Sequence, residues 1–419
     1  MNKSVINNFF FLLILQGTNY LLPLITFPYL ARVLGINNFG LLAFALAMVG
    51  YFIVLTDYGF NLTATKEISV HRDNKQKLVE IFSSVMLIKM FFLIIGFLIY
   101  FIIVFSFDKF KQNFLIYILT YGIVIGKALF PQWFFQGIEK MKYITILNVM
   151  EKSVFTLLIF VFVKFPDDVY KVPLINSLGT VLIGFFSIFI IQKQFGIKIK
   201  KQTIKTLIFY LKDGWHIFIS NIAISLYTLS TTFFLGLFTN NTIVGYFAAA
   251  DKIRAAIQNL FLNPFSQALY PFIAKKVTIS KLEAIIFIRR ILIFSFFVFF
   301  IISLFLLFFA KYIVLLLLGE AYERSVILLQ ILSFLPLMIG LSNIFGIQTM
   351  ITFGMKKIFS KILILGSILN FILLLFFIPL FKDIGAAISM LVVESFITVS
   401  MFFYLKKSGI DLIKGKINV

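Results

Sequence analysis

Val85-Met86-Leu87-Ile88-Lys89-Met90-Phe91-Phe92-Leu93-Ile94-Ile95-Gly96-Phe97-Leu98-Ile99-Tyr100-Phe101-Ile102-Ile103-Val104-Phe105 decides the fold class. Its 21 residues hold a single charge, Lys89, and no proline. About twenty apolar residues cross the hydrocarbon core of a bilayer as one helix, and a helix apolar all round has no face for water. The same pattern recurs along the chain, at 8–30, 40–62, 80–105, 113–135, 142–164 and 172–192. It resumes at 213–238, 243–272, 288–310, 326–350, 358–380 and 384–405. The expectation is an all-α integral membrane protein with twelve transmembrane helices.

Lys89 is not alone inside a span. Lys127, Lys152, Lys252 and Arg254 are also stranded in apolar stretches. A charge at mid-bilayer costs about 2.5–3.5 kcal/mol on insertion scales, so five facing lipid would cost on the order of 12–18 kcal/mol. That rivals the net stability of a typical protein. The cations are therefore expected to face a protein-lined or water-filled interior.

Composition agrees. With 61% apolar and 18% aromatic residues and a mean hydropathy of +1.04, an ordinary soluble domain is excluded. The net charge of +21 would suggest nucleic acid in a soluble protein. Here most cations fall in loops between spans and read as topology signals, so no nucleic-acid partner is expected. The absence of cysteine and the presence of only His71 and His216 leave no basis for a thiolate or histidine metal cluster. The first apolar run lacks a small-residue cleavage site and reads as a retained span.

One set of alternate loops holds 25 Lys/Arg and the other set eight. By the positive-inside rule the richer side is cytoplasmic, and it includes both termini. The basic segment 193–212 divides six spans from six. Asn37-Asn38-Phe39-Gly40 and Asn240-Asn241-Thr242-Ile243-Val244-Gly245 precede the second span of each half. The domain expectation is an N-terminal six-helix lobe at 1–192, a basic linker at 193–212, a C-terminal six-helix lobe at 213–405 and a basic tail at 406–419. Two parallel bundles of this kind carry a central cavity between repeats and rock to open it to either side.

The interior cations Lys89, Lys127, Lys152, Lys252 and Arg254, with Arg32 and Lys66 at span ends, suit an anion such as phosphate or pyrophosphate. Asp57, Glu151, Asp251 and Glu394 are the candidates for H⁺ or Na⁺ coupling. Both sets have structural alternatives. Asp251 stands three residues before Arg254, the spacing of a local pair on one helix face. The four acids can also pair with cations on other helices, though four cannot neutralise five. Pro23, Pro28 and Pro264 are expected to kink their helices. Gly122 and Gly126 form a GxxxG that reads as close helix packing. Ser220, Asn221, Ser225, Thr228, Ser230, Thr231 and Thr232 give the seventh span a polar face. No P-loop, GxGxxG, HExxH or GxSxG motif occurs, so no catalytic residue, cofactor or metal is expected.

Phe130-Pro131-Gln132-Trp133-Phe134-Phe135-Gln136-Gly137-Ile138-Glu139-Lys140-Met141-Lys142-Tyr143 resembles the end-of-fourth-span signature of bacterial O-antigen and polysaccharide repeat-unit flippases. Thr26-Phe27-Pro28-Tyr29-Leu30-Ala31-Arg32-Val33-Leu34-Gly35, Asp57-Tyr58-Gly59-Phe60 before Lys66-Glu67, Ala250-Asp251-Lys252-Ile253, Pro264 and Tyr270-Pro271 agree with that family. The resemblance implies the multidrug/oligosaccharidyl-lipid/polysaccharide exporter superfamily, with two six-helix lobes around a central cavity. It implies as cargo an oligosaccharide on undecaprenyl pyrophosphate, moved from the cytoplasmic to the periplasmic leaflet of the inner membrane. Membrane lipids, a polysaccharide polymerase and chain-length proteins are the implied partners. Gln132, Trp133 and Gln136 become candidate sugar contacts, although Trp133 near a span end also fits an interfacial belt.

Two other readings stay open. A drug or organic-cation exporter of the same fold would want unpaired carboxylates rather than excess cations. A membrane polysaccharide polymerase or ligase would want a large periplasmic loop, which this chain lacks.

Overall fold

The computed structural model describes residues 3–417, and all their side chains except those of residues 3–16, 19–21, 220, 223, 224, 227 and 417. The polar-face residue Ser220 thus has its side chain outside the description. In the N-terminal part, α1 (Lys3–Asp57), α2 (Phe60–Val70), α3 (Lys75–Ser106), α4 (Asp108–Lys111) and α5 (Phe114–Leu129) come first. They are followed by α6 (Gln132–Gly137), α7 (Met141–Phe162), α8 (Lys171–Phe195) and α9 (Ile204–Thr228). Then come α10 (Ser230–Phe238), α11 (Asn241–Ile279), α12 (Lys281–Leu318), α13 (Arg324–Leu332) and α14 (Leu335–Asn343). A π-helix, Ile344–Ile351, leads to α15 (Lys356–Lys407) and a small antiparallel hairpin of β1 (Ile410–Asp411) and β2 (Lys416–Ile417).

Among the described residues, eight helices are long and apolar enough to cross a membrane. Two of them, Leu22–Val70 and Lys356–Lys407, run to 49 and 52 residues. At about 1.5 Å per residue each is more than twice the depth of a bilayer core. Both are broken: α1 at Gly35 (φ 72°) and α15 at Lys382 (φ 53°). The stretches expected as seventh and eighth spans are not among the eight. One is divided between α9 and α10 at Leu229, and α11 carries Asp251, Lys252, Arg254, Gln258 and Asn263. Large exposed rings run along α3 (Phe97, Phe101, Phe105) and α12 (Phe297, Phe305, Phe308). Apolar surface on this scale belongs against hydrocarbon, not water.

The chain divides into two compact units, Met1–Ser225 and Leu226–Val419. In unit 1, Ile81, Phe82, Val85, Trp133, Phe134 and Phe135 form a buried core. Tyr100, Tyr117 and Tyr121 form a second buried cluster with Phe52. The helices α5 and α8 lie in close contact because Gly122 and Gly126 have no side chain. A Cβ on either would fall 2.5 Å from Ser177 or Thr180, respectively. The close packing expected from the GxxxG is thus present. In unit 2, Ile285, Ile288, Ile344, Val393, Ile397 and Met401 build the core.

Candidate functional site

Chain geometry builds a polar cavity in unit 1. Tyr58 (φ 50°) and Gly59 (φ 82°) enter the left-handed region, which ends α1 at Asp57 and lets α2 restart at Phe60. Asp57 and Asn61 therefore flank the break. The same break receives α9: Tyr58 stacks on Phe218 with ring centroids 4.3 Å apart. A Cβ on Gly59 would sit 2.6 Å from Ile217 Cγ2, so only glycine admits α9 this closely. Lower down, Tyr210 Oη donates to Glu80 Oε1 at 3.1 Å. Seated this way, α9 brings Asn221 and Ser225 to the cavity wall.

The cavity encloses about 250 Å³ and is lined by Thr56, Asp57, Asn61, Lys89, Lys127, Gln132, Asn221 and Ser225, with Ile53, Val54 and Phe130 as apolar wall. Lys89 is 2% exposed, with Nζ 3.8 Å from Asp57 Oδ1. That separation is ionic contact without a direct hydrogen bond. Lys127, in the last turn of α5, is exposed and has no carboxylate within 4.0 Å among the described residues. Lys152, half-buried on α7, is near enough to Lys127 for their charges to repel and to Glu151 for attraction. The lining thus carries two cations, one anion, three amides and two hydroxyls. Such a set can hold one negative group at Lys127 and hydrogen-bond several hydroxyls around it.

Of the residues selected from sequence, Asp57, Lys89, Lys127 and Gln132 converge here. Lys66 does not: its side chain is 72% exposed, and its Nζ is 3.9 Å from Glu67. Arg32 is exposed, three residues before the Gly35 break, and does not line the cavity. Trp133 is fully buried against Phe82 and Phe134, so it presents no face for a sugar. Its indole N–H finds no partner among the described residues. Gln136 accepts from Thr65 Oγ1 at 3.4 Å and is absent from the lining.

The remaining candidates belong to unit 2. Arg254 is buried and grips Asp251 through Nε (3.1 Å) and Nη2, and donates from Nη1 to Gln258 Oε1 at 2.7 Å. That is the local pair that the i,i+3 spacing allowed. Lys252, two positions earlier, is exposed. Glu394 on α15 is 6% exposed.

Two cavity residues, Thr56 and Asn61, escaped sequence reading. The signal for Asn61 was its place one helical turn beyond Asp57 across a Tyr-Gly break. Thr56, in a nearly apolar run, had none.

Comparison with known proteins bears on this geometry. The pattern of a family described as "Polysaccharide biosynthesis protein" matches residues 5–277. A protein of Escherichia coli (strain K12) named "Putative O-antigen transporter" is 36% identical over 405 residues, covering 97% of each chain. Among solved structures, the lipid II flippase MurJ in an inward closed conformation superposes with a TM-score of 0.75 at 14% identity. That match covers 95% of this chain and 87% of MurJ. A multidrug resistance MATE family transporter of the MOP superfamily gives 0.72 at 12% identity, covering 92% and 94%. At such identities the structures speak for the fold alone. The sequence matches extend over most or nearly all of the chain, and it belongs to the polysaccharide biosynthesis protein family of integral membrane proteins.

Proposed function

We propose that the protein is a flippase. It would move undecaprenyl-pyrophosphate-linked oligosaccharide repeat units from the cytoplasmic to the periplasmic leaflet of the bacterial inner membrane, for O-antigen or a related surface polysaccharide. The observation that carries this is the unit 1 cavity, a polar recess in an otherwise apolar helical protein, lined by a Lys127 that has no carboxylate within 4.0 Å among the described residues. Family membership and the E. coli relative's name support it.

In this reading the chain crosses twelve times. The six-helix lobes are 1–192 and 213–405, joined by the linker 193–212, and both termini and the tail 406–419 are cytoplasmic. The breaks at Gly35 and Lys382 support counting α1 and α15 as two crossings each. The lobes open a central cavity alternately to either side. The lipid tail stays in the bilayer while the head group passes. Lys127 takes a phosphoryl oxygen as a point charge, and Asn61, Gln132, Asn221 and Ser225 take hydroxyls. No bond is made or broken, so the protein acts as a transporter and not an enzyme. Each negative charge moved outward gains about 2.3 kcal/mol per 100 mV of membrane potential. Asp57, Glu151, Asp251 and Glu394 are the groups proposed for H⁺ or Na⁺ coupling. A polymerase and chain-length proteins would consume the product.

Depletion tests the reading. Lipid-linked repeat units should accumulate on the cytoplasmic face. Units reaching the periplasmic face at the normal rate but remaining unpolymerised would overturn it in favour of a polymerase or ligase.

A further inference from the structure

A second pocket in unit 1 shares no residue with the cavity around Asp57. It encloses about 460 Å³ where α3 begins and α8 ends. Leu78, Phe134, Ile138, Phe195 and Ile197 supply its apolar walls, and Arg72, Lys75 and Lys140 supply three cations from separate segments.

The cations are not equivalent. Arg72 is held by acids, with Nη1 3.3 Å from Glu139 Oε1 and Nε 4.0 Å from Asp73 Oδ2. Lys75 and Lys140 have no carboxylate within 4.0 Å among the described residues. Lys75 is positioned by Gly196, the left-handed residue that ends α8 (φ 63°). Its Nζ lies 2.7 Å from where a Cβ on Gly196 would stand. Any side chain there would push the ammonium away. Lys75 is also the first residue of the 32-residue α3. Asp73, on the rim, is almost fully exposed and screened by water. Lys75 and Lys140 are exposed too, and two ammonium groups beside an apolar floor, neither with a carboxylate within 4.0 Å among the described residues, fit an anion with carbon attached to it. The site also stands where the apolar helices Lys75–Ser106 and Pro166–Phe195 end, the depth of lipid head groups.

We infer that this pocket binds a phosphate group through Lys75 and Lys140, separately from the cargo cavity. The apolar floor fits the glycerol phosphate of an anionic membrane lipid, and soluble phosphate is the other source of the same chemistry.

The test is calorimetric titration of the purified full-length protein in uncharged detergent. The probes are dihexanoyl phosphatidylglycerol, inorganic phosphate and dihexanoyl phosphatidylcholine. Saturable binding of phosphatidylglycerol is expected, with the choline lipid weaker because its cation meets two lysines. The double variant Lys75→Gln/Lys140→Gln should bind about tenfold or more weakly, the loss of at least one charge-assisted contact. Lys75→Arg/Lys140→Arg should restore binding. Inorganic phosphate binding as tightly as phosphatidylglycerol would assign the site to soluble phosphate. Phosphatidylglycerol alone binding would assign it to lipid. Undiminished binding in the Gln variant, or no binding of either anion to the wild type, overturns the proposal. If the double variant fails to elute as the wild type does, Lys140→Gln alone decides by the same measurements.

Discussion

The guanidinium of Arg324 donates two hydrogen bonds to the carboxylate of Asp383, Nε to Oδ2 at 2.6 Å and Nη2 to Oδ1 at 2.8 Å. The two residues are 59 positions apart. Asp383 is completely buried, Arg324 is half exposed, and the pair clamps the chain beside the left-handed Lys382 that breaks α15.

Removing one side of this clamp leaves a buried carboxylate without its counter-charge. Arg324→Ala should destabilise unit 2 by about 2–4 kcal/mol, somewhat below the loss typical of a fully buried pair because Arg324 is partly solvated. A melting temperature lower by roughly 5–10 °C in detergent is the expected reading. Arg324→Lys, which keeps charge but loses the fork, should fall between. An unshifted melt in Arg324→Ala would show that the break is held by packing alone.

Lys127→Ala should lower repeat-unit translocation about tenfold or more, one lost charge-assisted contact, while leaving membrane insertion and expression unchanged. Complementation of a flippase-deficient strain measures it, together with Lys252→Ala and Arg254→Ala. Full activity of all three single variants and of the triple variant would remove the cations from cargo handling.

Gly126→Val should disrupt unit 1. The new side chain would have to occupy space now filled by Thr180, 2.5 Å from the Cβ position, and overpacking of this kind costs about 1–3 kcal/mol or more. Loss of monodisperse elution is the readout. A normal elution profile and melt would mean that α5 and α8 separate without penalty.

A pH effect is expected at the C-terminal hairpin. Asp411 Oδ1 accepts from the amides of Lys414 (2.9 Å) and Ile413 (3.0 Å). The Lys414 amide above all, with Ile413 and the Lys414 and Lys406 charges, holds the carboxyl below its ordinary value of 3.8. A depressed carboxyl pKa stabilises the fold above the unfolded value and loses that contribution as pH falls through the folded one. Hydrogen-exchange protection of the Ile413 and Lys414 amides, corrected for intrinsic exchange, should therefore hold from neutrality to about pH 4 and decline below it. Asp411→Ala should remove the dependence, and a pH-independent profile in the wild type would contradict it.

Particular residues show what could be read from the chain. Lys89 in an apolar run announces an interior position because the bilayer penalises a stranded charge, and it is 2% exposed. Gly122 and Gly126 announce a close helix contact because nothing larger fits. By contrast, Trp133 looked equally like a sugar contact or an interfacial anchor, and it is fully buried. In helices apolar on every side, periodicity does not mark which face is inward, so the burial of one ring among many is not legible.

Alone, the sequence determined the class of structure, because length and hydropathy demand membrane helices; the breaks at Gly35 and at Tyr58–Gly59 appear only in the backbone of the folded chain. Family membership was legible in the segment from Phe130 to Tyr143. Only the tertiary structure decided which charges are neutralised. Asp57 meets Lys89 and Arg324 meets Asp383 across 32 and 59 residues of chain, whereas Lys127 has no carboxylate within 4.0 Å among the described residues. Ion pairing depends on separations of a few ångströms between helices, and those are set by side-chain packing at Tyr58–Phe218, Gly59–Ile217 and Gly126–Thr180. Spacing along the chain carries no record of them.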